Sequence, residues 1–201
     1  MTVRPLKPSP VLLMVLALLK ERPMHPYEMQ RLMIERGKQS VIAVKRGSIY
    51  HAVERLCSAG LVEELETSRD GRRPERTVYR LTEAGEDEVR DWMRVMLAQV
   101  NEEYTEFATV LSFLPVLQPR EVQAALHGRL VMLDGVIGRH EAITRSIGDR
   151  LPRVFLIEEE YQLALFKAER DWVAAVVEDF ETGRFTWKWE DFEGFSDSPL
   201  S

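Results

Sequence analysis

Residues 45–82 read KRGSIYHAVERLCSAGLVEELETSRDGRRPERTVYRLT, and the fold turns on them. Plotted at about 100° per residue, the stretch from Gly47 to Gly60 gathers Ile49, Ala52, Val53 and Leu56 in one apolar sector. His51, Glu54, Arg55 and Ser58 face the other way, with Ser48 and Tyr50 at the margins. The pattern predicts a helix from about Gly47 to Ala59, with Gly60 as its stop. Two extended segments follow, Val62–Thr67 and Glu75–Leu81. Between them Ser68-Arg69-Asp70-Gly71-Arg72-Arg73-Pro74 is a turn built on an Asp-Gly pair, so the two segments should form a β-hairpin with an arginine-rich tip.

Upstream, Pro8-Ser9-Pro10 is a helix start, with Ser9 as cap and Pro10 as first helical residue. The apolar run Val11–Leu19 carries this helix to about Lys20, before Pro23. The run is too short to span a bilayer, and Lys20-Glu21-Arg22 follows at once with no small-residue cleavage site. The expectation is a buried helix in a cytoplasmic protein with no membrane partner. A second helix starts near Pro26 and should turn Tyr27, Met29, Leu32 and Met33 toward a core before Gly37 ends it. The stretch Val41–Val44 is expected in a connecting loop. Beyond the hairpin, Thr82 caps a further helix whose opening turns carry Glu83, Glu86, Asp87 and Glu88, favoured by the positive helix terminus. The order helix, helix, helix, hairpin, helix predicts a mainly α chain that opens with a winged helix-turn-helix domain with a β-hairpin wing, residues 1–97.

Charge divides unevenly along the 201 residues. The net charge is −6, but residues 1–80 hold 15 Lys and Arg against 9 Asp and Glu, a net of +6; the remainder holds 12 against 24, a net of −12. A basic first part points to a polyanion at that end. The candidate contacts are Arg46, Ser48, Tyr50, His51 and Arg55 on the third helix, and Arg69, Arg72, Arg73 and Arg76 on the hairpin. Arg and Ser bond base edges or phosphates, and a glycine-started helix N-terminus can approach a phosphate. Helix and wing together can hold a groove and its flanking phosphates. The partner read from this is double-stranded DNA with a palindromic operator, bound by a homodimer. The alternative is a protein-interaction adaptor that keeps the winged-helix fold without reading DNA, because fold alone does not set function.

Met24-His25-Pro26-Tyr27-Glu28, Gly47-Ser48-Ile49-Tyr50, Leu56-x-x-x-Gly60-Leu61-Val62, and Arg72-Arg73-Pro74 followed by Tyr79-Arg80-Leu81-Thr82-x-x-Gly85 resemble the PadR family of transcriptional regulators. The resemblance covers residues 10–96 well, and residues 107–184 more loosely resemble the family's helical dimerisation part. It implies a cytoplasmic homodimeric repressor that leaves its operator when a small-molecule effector binds. It also implies DNA contacts from the recognition helix and the wing, here Ser48, Tyr50, His51, Arg55, Arg72, Arg73 and Arg76. Proline stands at position 26, where glycine is also frequent in the family. The long second half resembles the subgroup with the larger helical C-terminal domain.

That second half, residues 98–183, should be a helical dimerisation and effector domain, with breaks near Pro115–Pro119 and Leu151-Pro152. Leu126, Leu130, Leu133, Ile137, His140, Thr144 and Ile147 recur at alternating steps of four and three, the seam of a helix packing lengthwise on a partner. Ile157, Tyr161, Leu165, Ala168, Trp172 and Val176 repeat the idea. Two such helices can form an intramolecular hairpin or an intermolecular bundle. The expected dimer contacts are Leu126, Leu130, Leu133, Ile137, Ile147 and Trp172. Trp92, Tyr104, Phe107, Phe113, Tyr161, Phe166 and Trp172 offer walls for an apolar effector cavity. Residues 184–201 form a tail with Phe185, Trp187, Trp189, Phe192 and Phe195 among acidic residues.

A single cysteine, Cys57, excludes an intrachain disulfide and a four-thiolate zinc site. The four histidines, His25, His51, His127 and His140, lack metal-ligand spacing. The sequence has no Gly-rich phosphate loop, no Gly-x-Ser-x-Gly elbow and no paired carboxylates at a recognisable strand end, so no enzyme, cofactor or metal is expected. Cys57 reads as a small packing residue, with a redox-sensing thiol as the sharper alternative.

Overall fold

The computed structural model describes residues 6–38, 42, 46–68, 76–101, 105–148 and 150–188, with Arg46, Thr67, Ser68 and Arg76 described through their backbone. They fall in two compact units, Met1–Glu102 and Glu103–Ser201. The first opens with α1 (Pro10–Glu21), where the Ser9 hydroxyl accepts from the Leu12 amide at 3.4 Å. The apolar run buries Leu12, Met14, Val15, Leu16, Leu18 and Leu19, so α1 is the central helix of this unit. Helix α2 (Pro26–Glu35) is capped by His25, whose Nδ1 accepts from the Tyr27 amide at 3.0 Å. Its buried residues are Pro26, Met29 and Met33, with Leu32 half-buried beside them. Tyr27 departs from expectation. It is 49% exposed, because it stands one residue, and so about 100° of helix, away from the buried row.

Helix α3 (Arg46–Ser58) is followed by β1 (Val62–Ser68) and β2 (Arg76–Leu81), an antiparallel pair in which Val62 faces Leu81 and Ser68 faces Arg76. A register shift between Glu64 and Glu66 bulges β1. Met24 and Tyr79 exchange two backbone hydrogen bonds, of 3.1 and 3.2 Å, which ties the α1–α2 connection to the base of the wing. Helix α4 (Glu83–Ala98) completes the unit and buries Val89 and Trp92. The tip of the hairpin, including Arg69, Arg72 and Arg73, and most of residues 41–44 lie outside the described residues.

Thr82 is the joint of this arrangement. Its hydroxyl accepts from the Gly85 amide at 3.0 Å and donates to the Gly60 carbonyl at 2.8 Å, while its amide donates to the Leu61 carbonyl at 3.1 Å. Gly60, at φ +73°, ends α3 with a turn that suits glycine. The start of α4 therefore sits directly on the α3–β1 corner. At the far end of α1, Arg36 closes a two-point bridge on Glu21, both contacts 2.6 Å, and holds the Glu21 carboxyl below the ordinary carboxylate range.

The second unit has α5 (Glu106–Leu111), a 3-10 turn (Leu114–Val116), α6 (Pro119–Ile147) and α7 (Ile157–Glu181). Thr105 caps α5, and the Glu121 carboxylate returns to the Gln118 amide at 2.8 Å in a capping box on α6. Helices α6 and α7 run antiparallel, as the pairs His127–Glu181, Arg129–Glu169 and His140–Glu159 require. Val122, Leu126 and Leu133 of α6 meet Val173 and Val177 of α7 within one chain, joined by the half-buried Leu130, Phe166, Val176 and Phe180. The α6 seam follows the expected spacing, but of the α7 stripe only Val176 joins it. Ile157, Tyr161, Leu165 and Trp172 are exposed, Tyr161 at 62%, because α7 has apolar residues on two adjacent faces and the one with Val173 and Val177 turns inward. The described start of the tail is held down: Trp187 Nε1 donates to the Leu117 carbonyl at 3.2 Å, and its ring meets Phe180 and Phe185.

The Thr82 joint leaves no room at Gly85. A Cβ there would collide with the Leu61 carbonyl oxygen and come within 2.9 Å of Leu81 Cδ1. Gly85→Ala should destabilise the first unit at the upper end of the roughly 1–3 kcal/mol that overpacking costs. Urea denaturation followed by circular dichroism measures this; an unchanged midpoint would refute the account of the joint.

Candidate nucleic-acid interface

The candidate surface begins with what α3 hides. Ile49, Ala52, Val53 and Leu56 are all at most 4% exposed, which points His51, Glu54, Arg55 and Ser58 outward. Ser48 and Tyr50 are half-buried at the margins, as the helical plot requires. Tyr50 meets the edge of His25 with ring centroids 6.1 Å apart, so the first turn of α3 rests against the cap of α2. His51 Nδ1 lies 3.3 Å from Glu54, and the Ser58 hydroxyl donates to the Glu54 carbonyl at 2.8 Å. The outward face thus combines a guanidinium, an imidazole, hydroxyls and one carboxylate on a rigid helix.

The wing rises from the same corner. Arg76 begins β2, opposite Ser68, and Arg46 begins α3; both are described through the backbone. Arg69, Arg72 and Arg73 lie outside the described residues. On the wing stem, Arg80 is joined across the strands to Glu63 at 2.6 Å. Two features escaped the residue pattern. Tyr27, expected in the core, is an exposed aromatic on the opening turn of α2. Glu63, Glu64 and Glu66 are exposed and make β1 acidic, a run visible in the sequence but overshadowed there by the arginines of the turn.

The expected dimer residues separate into three groups. Leu126 and Leu133 are buried against α7 of the same chain, and Leu130, Ile137 and Ile147 are half-buried on α6; Trp172 is 47% exposed and meets Phe107 edge-on. Of the expected effector walls, Phe107 and Trp172 meet, and Phe166 packs on the same core as Phe107. Trp92 belongs to the core of the first unit, Tyr104 lies outside the described residues, and Phe107 lines a cavity in the second unit. Among the described residues no three His, Cys, Asp or Glu side chains are grouped to hold a metal ion, and no helix is long and apolar enough to cross a membrane.

Three helices, a two-stranded wing and a further helix seated on their corner define a winged-helix protein. Residues 15–91 match the model of the transcriptional regulator PadR-like family, and it is this domain that is similar to the family. The solved structures with a similar fold include Bacillus subtilis PadR in complex with operator DNA, 18% identical, with a TM-score of 0.67 over 85% of this chain and 98% of that one. The same protein in complex with p-coumaric acid is 16% identical, with a TM-score of 0.68 over 85% and 99%. The Vibrio cholerae virulence activator AphA is 15% identical, with a TM-score of 0.62 over 86% and 98%. At these identities the likeness is one of fold. A search of curated proteins finds no match to the sequence.

Cys57, half-buried on the inner margin of α3, has its thiol pushed above the ordinary value, first by burial and then by the nearby Glu64 carboxylate. A thiolate is the reactive form, so this site suppresses rather than promotes reaction. Iodoacetamide should label Cys57 slowly at pH 7.5 in the folded protein and many-fold faster in urea. Equal rates would restore the redox-sensing reading.

Proposed function

We propose that this chain is a homodimeric transcriptional repressor of the cytoplasm that reads a palindromic operator and releases it when a small molecule binds. The observation that carries the reading is the outward face of α3, with His51 and Arg55 exposed and Ser48 and Tyr50 at its margins, fixed by the four buried residues behind it. A helix of this kind can enter a major groove while the arginines of the wing take flanking phosphates. The operator complex of Bacillus subtilis PadR supports the DNA partner, and the p-coumaric acid complex supports a small-molecule effector. The role is one of binding, with no catalytic step.

Self-association belongs to the second unit in this reading. Leu126 and Leu133 serve the fold of each chain, so the exposed α7 stripe, Ile157, Tyr161, Leu165 and Trp172, is the surface offered to a second copy. Domain boundaries follow as a DNA-binding part, residues 1–97, a dimerisation and effector part, residues 98–183, and the tail, residues 184–201.

In filter binding, affinity for any duplex should fall steeply with salt, because Lys and Arg displace counterions. Arg72→Ala and Arg73→Ala should each weaken binding to operator and random DNA alike and lower the salt slope by about 1. Ser48→Ala or Arg55→Ala should instead cost roughly 1–3 kcal/mol of preference for the operator. A salt-independent complex would favour the adaptor, and the reverse pattern of variants would exchange the roles of helix and wing.

Light scattering separates the two apolar faces. Leu165→Glu should give a monomer with unchanged helical content that loses operator binding. Leu133→Glu should unfold the second unit, because it places a charge in the intrachain seam. A dimeric Leu165→Glu protein that still grips its operator would refute the assignment.

A further inference from the structure

Between α5, the Leu114–Val116 turn and the first half of α6 lies a cavity of about 310 Å³. This is at the low end of the roughly 300–1,000 Å³ that small-molecule sites occupy. Phe107, Val110, Leu114 and Leu126 supply apolar walls, and two charged residues, Glu106 and Arg129, also line it. Glu106 is exposed on the first turn of α5, where water and salt screen its charge.

Arg129 is held differently. Its guanidinium carbon lies 3.6 Å from the centroid of the Phe107 ring, Nε donates to Glu169 Oε1 at 2.6 Å, and Nη2 is 2.5 Å from the same oxygen. Stacking and pairing set the plane of the guanidinium before anything binds. Among the described residues no acceptor bonds Nη1. Arginine only donates, and with the side chain 37% exposed Nη1 is open to water or to any acceptor that enters the cavity. The neighbouring carboxylate of Glu169 already balances the charge, so an acceptor at Nη1 need not be an anion.

We propose that this cavity is a binding site for a small molecule with an apolar body and one acceptor end, a carboxylate or amide oxygen, that meets Arg129 at Nη1. The body lies along Phe107, Val110 and Leu114. Among the side chains that line the cavity only the solvated Glu106 accepts from a cationic end, and Arg129 repels it. That this molecule also governs release of DNA rests on the effector reading above; occupancy of the cavity does not.

Calorimetric titration of the full chain with octanoate, octanamide and octylammonium tests the chemistry directly. Octanoate and octanamide should bind within about tenfold of each other, and octylammonium at least about tenfold more weakly. Ala125→Trp places an indole at an exposed α6 position that lines the cavity. It should weaken octanoate at least about tenfold with an unchanged circular dichroism spectrum. Arg129→Lys keeps the charge but loses the planar fork, and should weaken octanoate and octanamide together.

Octylammonium binding as tightly as octanamide, or octanoate binding unaffected by Ala125→Trp, overturns the proposal. Two other occupants are distinguished in the same series. A chain ending at Lys188 that binds octanoate at least about tenfold more tightly than the full chain would give the cavity to residues 189–201. Ala125→Trp dissociating the protein, with no octanoate binding by either form, would give it to a second copy. Either result also overturns the proposal. Octanoate that binds as expected but leaves the operator complex intact upholds the site and removes only its link to DNA release.

Discussion

The contact of α3 with α1 governs what the first unit can present. Ile49, Val53 and Leu56 are almost fully enclosed, and α1 supplies Leu12, Val15, Leu16 and Leu19 to the same core. Each large side chain buried this way contributes about 1.5–3 kcal/mol. Rolling α3 by one residue would expose that row and carry His51 or Arg55 toward the core, where an unpaired charge is costly. The inward and outward faces therefore enforce each other. Groups borne on a helix held so firmly keep their mutual geometry better than groups on a loop.

The wing inherits its position from the same corner through polar contacts. Thr82 joins the end of α3, the start of β1 and the first turn of α4, and Met24 with Tyr79 links the base of β2 to the α1–α2 connection. Such hydrogen bonds add modest stability one by one, near 1 kcal/mol each, but they are directional. They set where the hairpin emerges relative to α3, which apolar packing alone leaves free. Gly85 belongs to this joint, since only a residue without a side chain lets α4 approach the Leu61 carbonyl.

Local chemistry made the first unit legible in its sequence. Ser9, Pro10, His25, Pro26 and Thr82 sit at helix starts, Gly37 and Gly60 have positive φ, and the α3 plot separates buried from exposed side chains residue by residue. These signals act within one turn of chain and need no knowledge of the partner element. Tyr27 was misplaced because an aromatic on a helix with Met29 and Met33 reads as core, although one residue of offset is enough to turn it outward. The second unit was harder for a related reason. On α7, Trp172 and Val173 are neighbours in sequence and both apolar, yet Val173 is fully buried while Trp172 is half in solvent. Periodicity identifies two usable stripes, and only the shape of α6 selects between them. Of the cavity beside Phe107 only that one wall was legible, since α5 and α6 create it jointly.

The carboxylates on the first unit bear on how a DNA reader of this kind discriminates. Glu54 stands on the outward face of α3 beside His51, and Glu63, Glu64 and Glu66 are exposed on the strand that leads to the wing tip. Phosphates repel every one of them, which offsets part of the attraction from a region whose net charge over residues 1–80 is only +6. Non-specific binding depends almost wholly on that attraction, whereas operator binding adds contacts to base edges. Lowering the shared electrostatic part weakens both complexes but leaves the difference between them, the base contacts, intact. In a genome the competing sites are all of the non-specific kind, so the relevant quantity is the ratio. In the proposed reading, a face that mixes Arg55 and His51 with Glu54 gives up tightness without giving up selectivity, and Glu54 adds a means of selection, because a carboxylate in the major groove accepts from cytosine and finds no donor on guanine or thymine.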